Sequence, residues 1–310
     1  MSNRPFRFGV QLRGASTGHE WREKCRRVEA LGYDTLAVAD HFPRGLGPFA
    51  ALATAAAVTE RVRVGAFVFA NDFRHPAVLA KEAATLDLLS DGRLEMGIGA
   101  GWLRSEYEAT GIPFDRAGIR IDRLAEAIPL MKRLWTEDNV TARGRYYQTN
   151  GLSITPRSAQ APHPPLMVGG GGQRILSLAA RHAGIVAFNP RATPEGTPDR
   201  RDITAEATAR KLAWVRDAAG ERFPDLELNI VVSRVIPTDD RAATARQLAP
   251  ELDLSPTEVL ASPHLLLGAA DEMADTLRQR RSRYGITYIT VTEDGLEPFA
   301  PVMAQLAEHA

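Results

Sequence analysis

The chain has 310 residues, of which 44% are hydrophobic and 25% are charged, as is ordinary for a soluble globular protein. Its formal net charge of +0 gives no broad electrostatic argument for nucleic acid or a membrane surface as a partner, and no apolar run approaches the ~20 residues that span a bilayer. Cys25 is the only cysteine, which excludes an internal disulfide framework or a thiolate metal cluster and fits a reducing cytoplasm, so we expect no metal.

The first third of the chain alternates apolar, β-branched runs with helical patterns. Strands are predicted over residues 6–12, 35–39, 62–69 and 94–98, and helices over 20–31, 48–59 and 76–89. The block from Arg61 to Trp102 therefore predicts a parallel βαβ unit, in which strand, loop, helix and strand follow in order. Ligands bind at loops that follow the C-terminal ends of such strands.

The same alternation continues to the end of the chain. Strands are predicted over 166–168, 185–188, 226–236 and 286–291, and helices over 115–135, from Gln173, over 204–218, 271–284 and 297–308. A small hairpin is predicted within 140–147, and two short helical patches within 239–263. Eight strands separated by helices favour one domain over 1–310, a (β/α)8 TIM barrel with insertions around 136–164, 190–225 and 239–263. A doubly wound sheet is the alternative.

Two glycine-rich segments follow predicted strands. Gly97-x-Gly99-x-Gly101 lacks the spacing and the acidic partner of a dinucleotide fingerprint, so it indicates either tight packing or a flat ligand against exposed backbone. The run of four glycines from Gly169 to Gly172 precedes a helix with Arg174 in its first turn. Free backbone N–H groups, the helix dipole and an arginine favour an anion, so this turn predicts a phosphate site, with a flexible turn as the alternative.

Two further groups are candidates for chemistry. Asp40-His41 ends the second strand, on the rim where barrel enzymes carry their catalytic groups. The pair is interpreted as a general acid/base with an orienting carboxylate, or as a loop cap with a packed histidine. Phe67-Val68 ends the third strand and indicates either an apolar platform beneath a planar ring or ordinary core strand.

These segments carry a resemblance to a known family. F-R-F-G-V-Q-L, A-D-H-F, R-V-G-A-F-V-F-A-N-D-F-R-H-P, L-S-D-G-R-L-E-M-G-I-G-A-G-W and P-P-L-M-V-G-G-G-G resemble the luciferase-like monooxygenase superfamily, and within it the coenzyme F420-dependent oxidoreductases. The resemblance covers nearly the whole chain. It implies a bacterial luciferase-like (β/α)8 barrel, a homodimer, and a deazaflavin or flavin bound at the strand C-termini.

The resemblance also implies site residues, position by position. Asp40 and His41 fall where the family contacts the ring and handles a proton, and Phe67–Val68 falls where relatives have a non-prolyl cis peptide bulge against the ring. The remaining implied cofactor contacts are Ala70, Ala100, Gly101 and Ser105, and at the phosphate turn Gly170, Gly171, Gly172, Arg174 and Ile175.

One departure from the family bears on the substrate. Sugar-phosphate dehydrogenases of the family have a glutamate base where this chain has Trp102, which adds an apolar wall instead. Glu106 on the same loop is a possible replacement, and Arg13 and Arg191 on the rim are candidates for an anionic group. We therefore expect F420-dependent hydride transfer to a small organic substrate, with C=C or C=N reduction favoured. An FMN-dependent monooxygenase and a non-catalytic deazaflavin-binding barrel are the alternatives.

Overall fold

A closed barrel of eight parallel strands forms the centre of the computed structural model, which describes residues 4–193 and 195–307. Each strand pairs with the next along the chain, and the last pairs with the first. The barrel strands are β1 Arg7–Leu12, β2 Thr35–Val38, β3 Arg63–Ala66, β4 Leu94–Gly99, β5 Leu166–Gly170, β6 Ile185–Phe188, β7 Glu227–Val232 and β8 Ile286–Thr292. The predicted (β/α)8 barrel is confirmed.

Helices surround the barrel and cover its outer face. They are α1 Gly18–Ala30, α2 Pro48–Ala57, α3 Pro76–Leu89, α4 Arg104–Thr110, α5 Ala117–Thr136, α6 Gln173–His182, α7 Ala205–Ala219, α8 Arg241–Leu252, α9 Pro256–Ala261, α10 Ala270–Tyr284 and α11 Leu296–Ala307. Short 3-10 turns cover Asn71–Phe73, Arg200–Ile203, Gly220–Asp225 and Glu293–Gly295. Among the described residues, no helix combines the length and apolarity of a membrane crossing.

The strands alternate between an outer apolar face and an inner face of mixed polarity. In β1, Phe8, Val10 and Leu12 join the main hydrophobic core, whereas Arg7 contacts residues of other barrel strands. Arg7 donates to Glu227 at 2.5 Å and to Glu95 at 2.6 Å, and the Tyr288 hydroxyl donates to Glu95 at 2.8 Å. Burial raises the pKa of Glu227 although Arg7 opposes the shift. Because this network fills the N-terminal end of the barrel, the opposite rim is left for a ligand.

Two predicted strands have different limits in the structure. The strand predicted over 62–69 ends at Ala66, and a separate short strand, Phe69–Ala70, pairs with β4 beyond a non-prolyl cis peptide bond. The strand predicted over 226–236 is two strands. Glu227–Val232 belongs to the barrel, whereas Arg234–Pro237 pairs with Leu265–Gly268 in a small sheet of its own. A continuous run of β-branched residues does not indicate where the chain changes sheets.

The regions predicted as insertions have distinct structures. The first contains the hairpin Val140–Arg143 with Gln148–Leu152, so its second arm lies later than predicted. In the second region, α7 packs against α6 as the helix of its own βα unit, and the inserted part is the loop before it. In the third, α8 and α9 surround a separate hydrophobic cluster. Helix α4 was not predicted from the sequence, and the predicted end of the last helix, Glu308, lies outside the described residues.

Candidate active site

The C-terminal rim of the barrel brings together four segments singled out from the sequence. They are Asp40-His41 after β2, residues 67–74 after β3, residues 100–106 after β4 and the glycine turn that begins in β5. Parallel strands that close into a barrel place all their C-terminal ends at one rim. Hydrogen bonds and ring contacts connect the first three segments directly.

His41 is held by Glu106 across the rim. His41 Nδ1 lies 2.7 Å from Glu106 Oε1, and the Phe42 backbone N–H donates to the same oxygen at 3.2 Å. The Glu106 side chain is only 3% exposed and the His41 side chain 16% exposed. A carboxylate at Nδ1 favours the tautomer with its proton there, which leaves Nε2 for proton exchange. Glu106 is therefore a positioning residue for His41.

Asp40 does not orient His41, contrary to our interpretation of the pair. Its carboxylate accepts from Arg74 at 2.5 and 2.9 Å and from the Ala70 backbone N–H at 3.0 Å. Asp40 is buried, and both of its oxygens are used in these contacts. The residue therefore holds the segment after β3 in place, and the orienting carboxylate comes from α4, 65 residues further along the chain than His41.

Phe67–Val68 forms a non-prolyl cis peptide, as the family resemblance implied. Gln11 of β1 donates through Nε2 to the Phe67 carbonyl at 2.8 Å. Phe67 and partly buried Val68 join a small apolar cluster with Ala37, Met167 and Ala187. This cluster forms an apolar floor inside the rim.

The glycines of β4 make room for this floor. A Cβ on Gly97 would lie 2.0 Å from the Ala66 carbonyl oxygen, and one on Gly99 would lie 2.8 Å from the Val68 side chain. The packing alternative for Gly97 and Gly99 is thus the better supported one. These residues have no side chain because the segment after β3 crosses directly against them.

The loop after β4 contributes an aromatic wall. The Trp102 and His41 rings meet edge to face, with centroids 5.9 Å apart. Gly101 has φ +75°, and a Cβ there would lie 1.8 Å from the Tyr107 hydroxyl. Ala100 is partly buried, and Ser105 is exposed in the first turn of α4. Within this loop, Trp102 thus supplies the ring contact to His41, the candidate proton donor.

The glycine turn after β5 combines two tightly packed glycines with an open one. A Cβ on Gly170 would lie 2.4 Å from Ile175, and one on Gly171 would lie 2.4 Å from the Arg191 backbone nitrogen. Gly172 caps α6 without a side-chain hydrogen bond, and a Cβ there would meet nothing within 4 Å. The first turn of α6 thus opens to free space, a suitable geometry for an anion.

All three arginines predicted to bind an anion, Arg13, Arg174 and Arg191, have acidic partners, which for Arg191 is Asp199. Arg174 forms an exposed ion pair with Asp122 and donates to the Gly118 carbonyl at 3.2 Å. Arg13 pairs with Asp294 and borders an open depression of about 290 Å³ that also contains Lys24, Glu20 and Glu293. Within the described part of the chain, no group of three or more His, Cys, Asp or Glu side chains could hold a metal ion.

Several residues that organise the rim were missed in the sequence. Gln11 donates to the Phe67 carbonyl of the floor, and Arg74 donates to Asp40. Tyr107 packs against Gly101. The first two contacts join distant parts of the chain. Lys211, fully buried on α7, pairs with Asp202 at 2.7 Å. A lysine within a helical pattern carries no local signal of burial, because its partner lies in a separate loop.

The molecule is an eight-stranded parallel barrel whose C-terminal rim carries an oriented histidine, an apolar floor and an open helix N-terminus. These features are typical of (β/α)8 barrels that bind a ligand at this rim. The family model described as luciferase-like monooxygenase matches residues 2–292, and the chain belongs to this family. The family resemblance inferred from the sequence is confirmed.

Similar proteins include F420- and FMN-dependent enzymes. The chain is 42% identical over 168 residues to an F420-dependent glucose-6-phosphate dehydrogenase of Intrasporangium calvum, covering 51% of this chain and 48% of that protein. It is 31% identical to an FMNH2-dependent dimethylsulfone monooxygenase of Pseudomonas putida, covering 49% and 42%. The chain thus spans about half the length of these relatives. The structure of the coenzyme F420-dependent tetrahydromethanopterin reductase of Methanopyrus kandleri superposes with a TM-score of 0.79 at 17% identity, over 99% of both chains, and supports the fold.

Proposed function

We propose that this protein is a coenzyme F420-dependent oxidoreductase that transfers a hydride between the deazaflavin and a small organic substrate, with reduction of a C=C or C=N bond favoured. The observation that carries the proposal is the His41–Glu106 pair beside the apolar floor of the barrel rim. The similarity to an F420-dependent dehydrogenase supports the choice of cofactor.

In this proposal a flat cofactor with a phosphate-bearing tail would bind across the rim. Phe67–Val68 and Ala70 would lie against the ring, Ala100, Gly101 and Ser105 along its side, and the turn from Gly170 to Ile175 at the phosphate. The open N-terminus of α6 supports the last assignment, since anions bind where first-turn N–H groups are unpaired. When bound, reduced F420 supplies the hydride.

The chain's own residues would supply the proton and the dry environment. His41 Nε2 is the group available to donate a proton to the substrate atom next to the carbon that accepts the hydride. Glu106 would fix the orientation of the His41 ring from a buried position. Trp102 would exclude water from the side of His41 that it contacts, and Asp40 with Arg74 fixes the segment that carries Ala70.

The substrate we propose is apolar or of mixed polarity rather than a sugar phosphate. Trp102 lies edge-on to His41 and offers no carboxylate. Glu106, the possible replacement base, is almost fully buried and already bonded to His41 and to the Phe42 N–H. A second base beside the substrate is therefore absent among the predicted rim residues.

Equilibrium titration with each cofactor tests the proposal. We expect F420 to bind with a clear fluorescence change, and reduced F420 to be oxidised by at least one acceptor in a panel of enones, imines and related unsaturated compounds. Tight FMN binding without measurable F420 affinity would favour the alternative, an FMN-dependent monooxygenase like the Pseudomonas putida relative. F420 binding with no turnover of any acceptor would favour a non-catalytic deazaflavin-binding barrel.

Replacing Trp102 tests the proposed substrate class. Trp102→Glu is expected to lower kcat/KM for an apolar acceptor about tenfold or more, because a carboxylate replaces an apolar wall beside His41. Trp102→Phe keeps an aromatic ring and is expected to stay within about threefold of the wild type. Steady-state kinetics with one unsaturated acceptor measures both. Turnover of glucose 6-phosphate by the wild-type protein would contradict the assignment.

Two properties stay predictions, a homodimer from the family resemblance and a cytoplasmic location from the single cysteine. We propose that the protein is a homodimer located in the cytoplasm. Sedimentation of the purified full chain at micromolar concentration measures the first, and fractionation of the producing cells measures the second.

A further inference from the structure

The loop after β6 contacts the backbone of the segment after β4, at Trp102 and Arg104. Gly196, with φ +80°, lies so close to the loop after β4 that a Cβ on it would be 2.7 Å from the Arg104 nitrogen and 2.9 Å from the Trp102 carbonyl oxygen. Both neighbours are backbone atoms, which cannot rotate away as a side-chain end can. The contact therefore requires a glycine at this position for two reasons, its φ and its proximity.

The segment that carries Gly196 has internal support. Thr193 N–H donates to the Thr197 carbonyl at 2.7 Å, Gly196 N–H donates to the Thr193 carbonyl at 3.0 Å, and Ala192 bridges Pro198. At the base, the Arg191 guanidinium bonds the Asp199 carboxylate at 2.9 Å. We call residues 191–193 and 195–199 the β6 hairpin.

The base of the β6 hairpin is fixed by a buried charge pair. Arg191 N–H donates to Asp202 Oδ2 at 2.6 Å, and Lys211 Nζ contacts the same carboxylate oxygen at 2.7 Å. Lys211 also donates to the Asn189 carbonyl at 2.9 Å, and its side chain is 0% exposed. Because Gly171 of the phosphate turn packs directly on Arg191 and Asn189, the hairpin base and the phosphate turn form one structure.

We infer that the β6 hairpin is a specificity-determining element of the acceptor site, which acts by holding the Trp102 main chain so that the indole stays edge-on to His41. This inference rests on the proposed function. It assigns Gly196 and the Lys211–Asp202 pair as positioning residues. The acceptors it selects are apolar molecules flat enough to fit beside the indole.

The test is Gly196→Ala, with Gly32→Ala as the matched control. Gly32 has φ +84°, but a Cβ there would meet nothing within 4 Å, so the control reproduces the backbone strain without the contact. Gly196→Ala is expected to raise the acceptor KM about tenfold and to leave the F420 dissociation constant within about twofold. Gly32→Ala is expected to change neither. An unchanged acceptor KM in Gly196→Ala would overturn the inference.

A second readout is independent of the cofactor. In a Trp214→Phe background, Trp102 is the partly exposed tryptophan, because Trp21 and Trp135 are buried. Gly196→Ala is expected to increase acrylamide quenching of Trp102 about twofold over the Gly32→Ala control, since a displaced wall exposes the indole. Unchanged quenching would overturn the inference even if turnover is found. Changed quenching without F420 turnover would support the positioning contact and count against the proposed function alone.

If Gly196→Ala does not fold, Arg191→Ala tests the same element from its exposed base. The Arg191 side chain is 60% exposed, so its removal leaves no buried partner uncompensated. We expect smaller changes in the same direction, about threefold in the acceptor KM and about 1.4-fold in quenching, because only one contact of the hairpin is lost. An acceptor KM and a quenching in Arg191→Ala that both equal the wild-type values would contradict the inference.

Discussion

His41→Ala is expected to lower kcat for reduction of an unsaturated acceptor by about 10²–10⁴-fold, the usual contribution of a positioned general acid. The imidazole Nε2 is the proton donor that we assign at the rim, and alanine leaves only water in its place. F420 affinity is expected to fall by no more than about tenfold, because the floor and the phosphate turn are unchanged. Stopped-flow oxidation of reduced F420 at saturating acceptor measures kcat, and fluorescence titration measures the affinity.

Glu106 variants separate positioning from proton donation. Glu106→Gln keeps the size and one hydrogen-bond acceptor for His41 Nδ1, so kcat is expected to fall only about tenfold with KM unchanged. Added imidazole is expected to restore part of the activity of His41→Ala, whereas it should not help Glu106→Ala, where the His41 ring is present but no longer fixed. Full activity in His41→Ala would remove the proton-donor assignment.

The barrel could be predicted because its signals are local. Each barrel strand is a short apolar run with a helical pattern before or after it, and parallel pairing follows from that alternation. The rim also follows, since the end of each strand lies at one face. Hence Asp40, His41, Phe67 and the glycine turn were placed together correctly from the sequence.

The pairing of side chains across the rim could not be predicted in the same way. Asp40 precedes His41 in the sequence and was taken as its partner, but neighbours along the chain need not share a partner once the rim has folded. His41 contacts Glu106 of α4, and Asp40 contacts Arg74. For Gly97 and Gly99 the sequence left tight packing and a ligand open, because the Ala66 carbonyl and the Val68 side chain that fill their space come near them only in the folded chain.

The second large effect is expected on F420 affinity, from a substitution in the phosphate turn. Gly171→Ala is expected to weaken F420 binding about 100-fold, equivalent to about 3 kcal/mol, through loss of charge-assisted backbone hydrogen bonds to the phosphate. Its Cβ would lie 2.4 Å from the Arg191 nitrogen and 2.6 Å from the Asn189 carbonyl oxygen, so the turn or the hairpin base must move. Overpacking of this kind also destabilises the fold by about 1–3 kcal/mol, measurable in thermal unfolding of the cofactor-free protein.

Gly172→Ala distinguishes a phosphate site from a merely crowded turn. Its backbone is extended, and a Cβ would meet no protein atom within 4 Å, so the unfolding temperature is expected to stay the same or rise slightly. F420 affinity is nevertheless expected to fall about tenfold, because the new methyl group enters the space that we assign to the phosphate. Gly184→Ala, equally open but at the start of β6, is the control and is expected to change neither quantity. Wild-type F420 affinity in Gly172→Ala would mean that the phosphate binds elsewhere, and the open N-terminus of α6 would then lose its assigned role.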